Sequence, residues 1–109
     1  MDKEEMTTDV AVIVDEKVKI GSLTKEPSLY KIIFLNDDKT PMEFVVTVII
    51  KFFDKSERDA FDLTMKIHND GSAVVLVAPY EIAEEKAKHT MAVASKNGFD
   101  LKVEIEPED

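Results

Sequence analysis

Polar side chains that could do chemistry are concentrated in two short stretches of this 109-residue chain. The first is Asn36-Asp37-Asp38, which follows an apolar run and leads to Thr40, and the second is His68. Each has a purely structural explanation, because Asn and Asp cluster in turns and a histidine near a helix C-terminus suits the helix dipole. If the two stretches met, they would join an amide oxygen, carboxylates and an imidazole. The sequence alone does not establish that contact.

Three kinds of site are conceivable for such a cluster. A metal site formed by Asp37, Asp38 and His68 has little support, because the chain has no HExxH, no paired-histidine spacing and no calcium-loop pattern. A hydrolytic triad lacks a convincing nucleophile, so we expect no enzyme. A cluster of hydrogen-bond acceptors instead suits an ammonium group, which has three donors and no acceptors.

The charge balance argues against several classes of partner. The chain has 23 acidic and 14 basic residues and a formal net charge of −9, whereas nucleic acids and anionic membranes attract clustered Lys and Arg. Its 109 residues, 44% of them hydrophobic, fit one compact domain. There is no cysteine, no apolar run of the roughly 18 residues that span a membrane, and no apolar leader after the acidic N-terminus. We therefore expect a soluble intracellular protein without nucleic-acid or membrane partners.

Hydrophobic periodicity and turn residues predict the element order β-α-α-β-α-β. Thr40-Pro41-Met42-Glu43 is typical of a helix start, with Thr40 as the N-cap and Glu43 completing a capping box. This order folds most simply as an α+β domain, with three helices packed on one side of a three-stranded antiparallel sheet. The predicted strands cover residues 29–35, 73–77 and 101–106, and the predicted helices cover residues 41–53, 56–68 and 79–96. Ser56 is predicted to cap the second helix, and Asn69-Asp70-Gly71 is predicted to end it.

Residues 1–26 are expected to form an N-terminal extension, and residues 27–109 the core domain. The extension carries seven acids and four bases, yet Val10-Ala11-Val12-Ile13-Val14 is β-prone, and Val18 and Ile20 continue the apolar alternation. Two interpretations are open: a mobile segment that pairs transiently with a sheet edge, or a docking arm for a partner.

A longer pattern begins at Pro27 and points to a known family. The string N-D-D-K-T-P-M-E-F-V over residues 36–45 closely resembles the ClpS family, the adaptors of the bacterial ATP-dependent Clp protease. The resemblance extends to about Glu106 and so covers nearly the whole predicted core. Further matches follow in register at Lys51-Phe52-Phe53, Glu57-Arg58, Ile67-His68, Gly71, and Ala83-Glu84 through Lys86.

The resemblance implies a non-catalytic adaptor of the bacterial cytoplasm that needs no cofactor or metal. Members of this family capture proteins whose first residue is Leu, Phe, Tyr or Trp and pass them to a ClpA-type unfoldase for degradation by ClpP. The implied fold is the one shared with the C-terminal domain of the ribosomal stalk protein. The alternative is an interaction module of the same fold that caps or inhibits an unfoldase N-domain without binding N-terminal degradation signals.

The resemblance also implies roles for particular residues. Asn36, Asp37 and His68 would hold the substrate's α-amino group. Glu81 and Lys86 would dock on the unfoldase N-domain, and the extension would engage the unfoldase during hand-off. The side-chain pocket would be lined, gated or supported by Asp38, Thr40, Met42, Thr64, Ile67 and Leu101.

Position 64 departs from the family pattern. Thr64 stands where many members have a larger apolar residue, often Met. It would enlarge or polarise the pocket wall, or its hydroxyl would turn toward the backbone of its own helix.

Overall fold

The computed structural model describes residues 28–109, and the predicted extension over residues 1–26 lies outside them. The elements follow the predicted order β-α-α-β-α-β. Within residues 28–109, no helix is long and apolar enough to cross a membrane. The strands are β1 (Leu29–Leu35), β2 (Ser72–Pro79) and β3 (Lys102–Pro107), and the helices are α1 (Met42–Phe53), α2 (Glu57–Asp70) and α3 (Tyr80–Lys96).

The central strand of the sheet is β1, which pairs antiparallel with β2 on one side and with β3 on the other. Its side chains alternate between the two faces, as a strand requires. Ile32 and Phe34 are fully buried, whereas Lys31 and Ile33 are only partly covered. The helices therefore cover one face of the sheet and leave the other open. This arrangement confirms the predicted α+β architecture.

The hydrophobic core lies between the covered face and the helices. Ile49 of α1 is fully buried, and the Phe53 ring meets Phe34 edge-on with 5.4 Å between ring centroids. Such an edge-to-face geometry is favourable for aromatic pairs. Helix α3 is amphipathic with small apolar residues on its buried side, so that it approaches its neighbours closely: Ala83, Ala87 and Ala94.

The capping box predicted at the start of α1 is wrong. Pro41 occupies the N-cap position, and no side chain caps the helix. Thr40 therefore lies one residue before the N-cap, and its hydroxyl donates to Asp37 Oδ2 at 2.7 Å within the turn. The signals predicted around α2 are confirmed: Ser56 accepts a backbone N–H at 3.1 Å, and Gly71 ends the helix with a φ of 94°.

Some predicted boundaries shift by one or two residues. β2 is longer at both ends than the predicted 73–77, because its pairing with β1 runs from Leu35↔Ser72 to Leu29↔Pro79. Pro79 therefore ends the strand and precedes α3. Leu101 is buried just before β3, one residue ahead of the strand that was predicted to include it.

Candidate binding site

A backbone hydrogen bond ties the end of β1 to the end of α2. The Asn36 N–H donates to the Gly71 carbonyl at 2.9 Å. Gly71 can accept there because its left-handed φ, which glycine adopts without a steric penalty, turns the chain sharply at the helix terminus. His68 lies in the last turn of the same helix. The two polar stretches that the sequence left unconnected are therefore brought to one end of the sheet.

The turn after β1 holds the Asp37 carboxylate in place. The Thr40 N–H donates to the Asp37 carbonyl at 3.2 Å, and the Thr40 hydroxyl donates to Asp37 Oδ2 at 2.7 Å. Thr40 is 8% exposed, and Asp37 is partly covered. A carboxylate offers about four lone-pair sites, so one hydroxyl leaves most of its accepting capacity free. Asp37 is thus oriented and remains able to accept further hydrogen bonds.

A small cavity lies where β1, α1, α2 and the approach to β3 meet. Its volume is about 20 Å³, room for roughly one water molecule. Its walls combine an apolar interior with a polar rim, since Asn36 and His68 are exposed while Thr64 and Ile67 are buried. The cavity is lined by Leu35, Asn36, Asp37, Thr40, Met42, Val45, Thr64, Ile67, His68 and Leu101.

The cavity brings together nearly all of the residues predicted to bind a ligand. Asp38 is the exception, because it is exposed in the turn and does not line the cavity. Sequence reasoning missed Leu35 and Val45. The sequence offered an indication for each. Leu35 directly precedes Asn36, and Val45 is three residues after Met42 and so lies on the same side of a helix.

The Thr64 hydroxyl turns toward the backbone of its own helix. Its Oγ1 donates to the Ala60 carbonyl at 2.8 Å, one turn earlier in α2, and the residue is only 2% exposed. The hydroxyl is therefore satisfied within the helix, as one of the two sequence-based interpretations allowed. The threonine side chain is smaller than a long apolar residue and leaves the cavity more room, without leaving its own hydroxyl unpaired.

The described part of the chain contains no set of side chains that could bind a metal ion. Among residues 28–109, no three His, Asp or Glu side chains are grouped closely enough to hold a metal ion. The polar groups at the cavity are better matched to a hydrogen-bonding ligand.

The residues predicted to dock on an unfoldase lie on α3, away from the cavity. Glu81 is exposed in the first turn of this helix. Lys86 is partly buried, and its Nζ donates to the Phe52 carbonyl at 2.7 Å, near the C-terminus of α1. Between them, Ile82 is 46% exposed. Lys86 therefore also has a structural role, because its ammonium satisfies a carbonyl at a helix end.

Residues 25–104 match the family model described as ATP-dependent Clp protease adaptor protein ClpS. The chain belongs to the ClpS family. The ClpS adapter protein of Ruegeria pomeroyi is 40% identical over 108 residues, which cover 99% of this chain and 92% of that one. The ClpS adapter of Helicobacter hepaticus is 38% identical over 87 residues, 80% of this chain and 88% of its own.

A solved structure supports the same assignment. Agrobacterium tumefaciens ClpS2, determined bound to L-phenylalaninamide, superposes with a TM-score of 0.74 at 44% sequence identity, covering 76% of this chain and 100% of that one. The fold implied by the resemblance is thereby confirmed. Membership of the ClpS family makes this chain an adaptor of the ATP-dependent Clp protease.

Proposed function

We propose that this ClpS protein binds proteins with a free N-terminal Leu, Phe, Tyr or Trp and delivers them to a ClpA-type unfoldase in the bacterial cytoplasm. The observation that carries the proposal is the convergence of Asn36, Asp37 and His68 on the rim of one apolar cavity. The ligand of the Agrobacterium relative supports it, because L-phenylalaninamide combines a free α-amino group with a large apolar side chain.

The polar rim suits an α-ammonium group. A peptide's α-amine has a reference pKa of about 7.7–8.0, so much of it is charged at neutral pH. Its three N–H donors can be met by the Asn36 amide oxygen, the Asp37 carboxylate and a ring nitrogen of His68, with Asp37 also supplying the countercharge. An acetylated terminus has lost both the charge and two donors. The site would therefore bind a peptide with a free α-amino group in preference to one with an acetylated N-terminus.

The apolar walls suit the first side chain of the substrate. Burying a Leu or Phe side chain contributes roughly 1.5–3 kcal/mol. A cavity of about 20 Å³ is too small to accept one without movement, so ligand entry requires a wall residue to shift. Met42 is the best placed to do so, because it is 38% exposed and its unbranched side chain changes rotamer easily. A side chain branched at Cβ would crowd the entrance, where Leu and Phe have only a methylene.

Binding to a panel of four peptides tests this half of the proposal. One sequence would be prepared with Leu first, Phe first, Val first, and N-acetylated Phe first, and its fluorescence anisotropy measured. We expect the Leu and Phe forms to bind and the other two to fail. Failure of all four would favour the alternative adaptor, which caps an unfoldase N-domain through the same fold while the cavity stays closed.

The chain's lack of tryptophan offers an independent measurement. A Trp-first peptide would supply the only indole fluorescence in the mixture, and burial in the apolar cavity would shift its emission to shorter wavelength. An emission spectrum that does not change at saturating protein would contradict insertion of the first side chain.

Delivery is proposed to use two further parts of the chain. The α3 surface around Glu81, Ile82 and Lys86 would dock on the unfoldase N-domain, and residues 1–26 would form a separate extension that engages the unfoldase during hand-off. The exposed Glu81 and Ile82 support the first part, because they offer a charge and an apolar contact on one helix turn.

Degradation assays with the unfoldase and ClpP separate delivery from binding. Removing residues 1–20 should leave peptide affinity unchanged and slow degradation of a Phe-first reporter protein. Glu81→Ala should weaken binding to the isolated unfoldase N-domain, whereas Glu104→Ala, an exposed acid on β3, should not. If peptide affinity also collapses when residues 1–20 are removed, the extension contributes to the cavity and not to delivery.

A further inference from the structure

The outer edge of β2 is open to a further strand. β2 lies at one side of the sheet, and within residues 28–109 no strand pairs with its outer edge. Its sequence SAVVLVAP contains no charged residue, and Val74 and Val77 are 40% and 37% exposed. Only one irregularity, at Val75, interrupts its pairing with β1. By contrast, β3 at the other edge carries charged side chains at alternate positions, the usual protection against pairing with another strand.

A groove follows this edge, between β2 and α2. Its volume is about 340 Å³. Two lysines and two aspartates lie along it, so its formal charges cancel and charge does not select an occupant. Its apolar residues do favour an uncharged β-strand over a polar loop. The groove is lined by Lys55, Asp59, Asp62, Leu63, Lys66, Val74 and Val75.

We propose that the chain's own segment Val10–Val14 docks in this groove as a fourth strand on the outer edge of β2. In an extended segment Val10, Val12 and Val14 point to one face, and Ala11 and Ile13 point to the other. Both faces are thus apolar. That pattern suits a strand added at β2, because one of its faces would meet the groove beside α2 and the other would lie next to the exposed Val74 and Val77.

The chain between the segment and β1 is long enough to reach the outer edge of β2, and it begins close to that strand. Leu29, near the first described residue, pairs with Pro79 at the end of β2. The connection comprises residues 15–27, thirteen residues, which can span about 43 Å when extended. β2 itself is about 26 Å long. A short tether also gives the segment an effective concentration of roughly millimolar at the edge, which at micromolar protein favours it over a second copy of the chain.

Hydrogen–deuterium exchange of the full-length protein tests the docking. The test variant is Val12→Asp with Ile13→Asp, which puts a charge on each face of the segment. The matched control is Thr7→Asp with Thr8→Asp, which adds the same charge outside the segment. We expect β2 amides to exchange at least about tenfold faster in the test variant than in the wild type or the control, with β3 amides unchanged in all three.

A variant in β2, the strand on which the segment would dock, completes the test. Val77→Lys adds a charge to the open face of β2 and should speed exchange of amides 10–14. Equal β2 exchange in the wild type and the Val12/Ile13 variant would overturn the proposal. Protection of β2 that rises across about a hundredfold range of protein concentration would also overturn it, in favour of pairing between two copies. Unchanged exchange of the β3 amides shows that the variants are folded, and the inference does not depend on peptide binding.

Discussion

Polar groups are used differently at the cavity and along the contact between α1 and α3. At the cavity, the side chains of Asn36 and His68 are exposed and form no hydrogen bond with residues 28–109, while Asp37 is oriented by Thr40. Along α3, the Lys86 ammonium is already bound to the Phe52 carbonyl. Accepting groups that converge beside an apolar cavity and remain free are suited to a ligand. A charged group that is bound within the fold contributes mainly to stability.

Two buried threonines also differ in whether their hydroxyl groups are hydrogen-bonded. Thr64, at the cavity, donates its hydroxyl to the Ala60 carbonyl. Thr90, on α3, is fully buried, and its hydroxyl has no partner in the described part of the chain. An unpaired hydroxyl in a packed core costs stability, and Thr90 is not among the residues that line the cavity described above. Free polar groups therefore indicate function only where they converge and are accessible.

The largest effect is expected from Asp37→Ala. This change removes the countercharge and leaves the ammonium with two neutral acceptors. Hydrogen bonds to charged groups contribute roughly 1.5–3 kcal/mol, so affinity for a Phe-first peptide should fall by about a hundredfold. Asp38→Ala is the matched control, because Asp38 is the neighbouring carboxylate and lies outside the cavity. An Asp37→Ala protein that binds as tightly as the control would eliminate the proposed ammonium site.

Lys86→Met should reduce stability and leave peptide binding intact. Methionine keeps an apolar stem of similar length but cannot donate to the Phe52 carbonyl at the end of α1. We expect the free energy of unfolding to fall by about 1.5 kcal/mol, measured by urea denaturation. Affinity for the Phe-first peptide should not change. A variant with wild-type stability would show that the hydrogen bond to the Phe52 carbonyl does not stabilise the fold.

Much of the fold could be predicted because its signals are local. The apolar run of β1, the Ser56 cap and the Gly71 terminus each depend on neighbouring residues, and the structure confirms them. The Thr40 cap was wrong because the helix begins one residue later than the pattern predicts, with Pro41 at the N-cap position.

The cavity could be predicted only in part. Its lining residues came from the family resemblance, since spacing alone could not show that His68 and Asn36 line one cavity. Their proximity depends on the bond between the Asn36 N–H and the Gly71 carbonyl, which joins two residues far apart in the chain. The structural role of Lys86 was also missed, because it depends on a carbonyl 34 residues away.

Replacing the two buried threonines by valine should move stability in opposite directions. Valine has nearly the shape of threonine without the hydroxyl. Thr90→Val removes an unpaired buried group and should stabilise the fold by about 1 kcal/mol. Thr64→Val removes a group that is hydrogen-bonded to Ala60 and should destabilise it by about as much. Thermal unfolding of both proteins measures the difference, and a destabilised Thr90→Val protein would indicate a partner for that hydroxyl.

The smallest effect, Thr64→Met, should appear in selectivity more than in affinity. A methionine at this buried position extends further into the cavity wall and leaves less room for a ligand side chain. We expect Trp-first peptides to lose up to about tenfold in affinity relative to Leu-first peptides, since a change of one or two methylenes in an apolar pocket has effects of that order. Thr64→Val is the control, because it removes the hydroxyl and keeps the shape. If both variants rank Leu, Phe and Trp as the wild type does, position 64 does not contact the ligand. If both change the ranking alike, the hydroxyl and not the volume of the wall sets the preference.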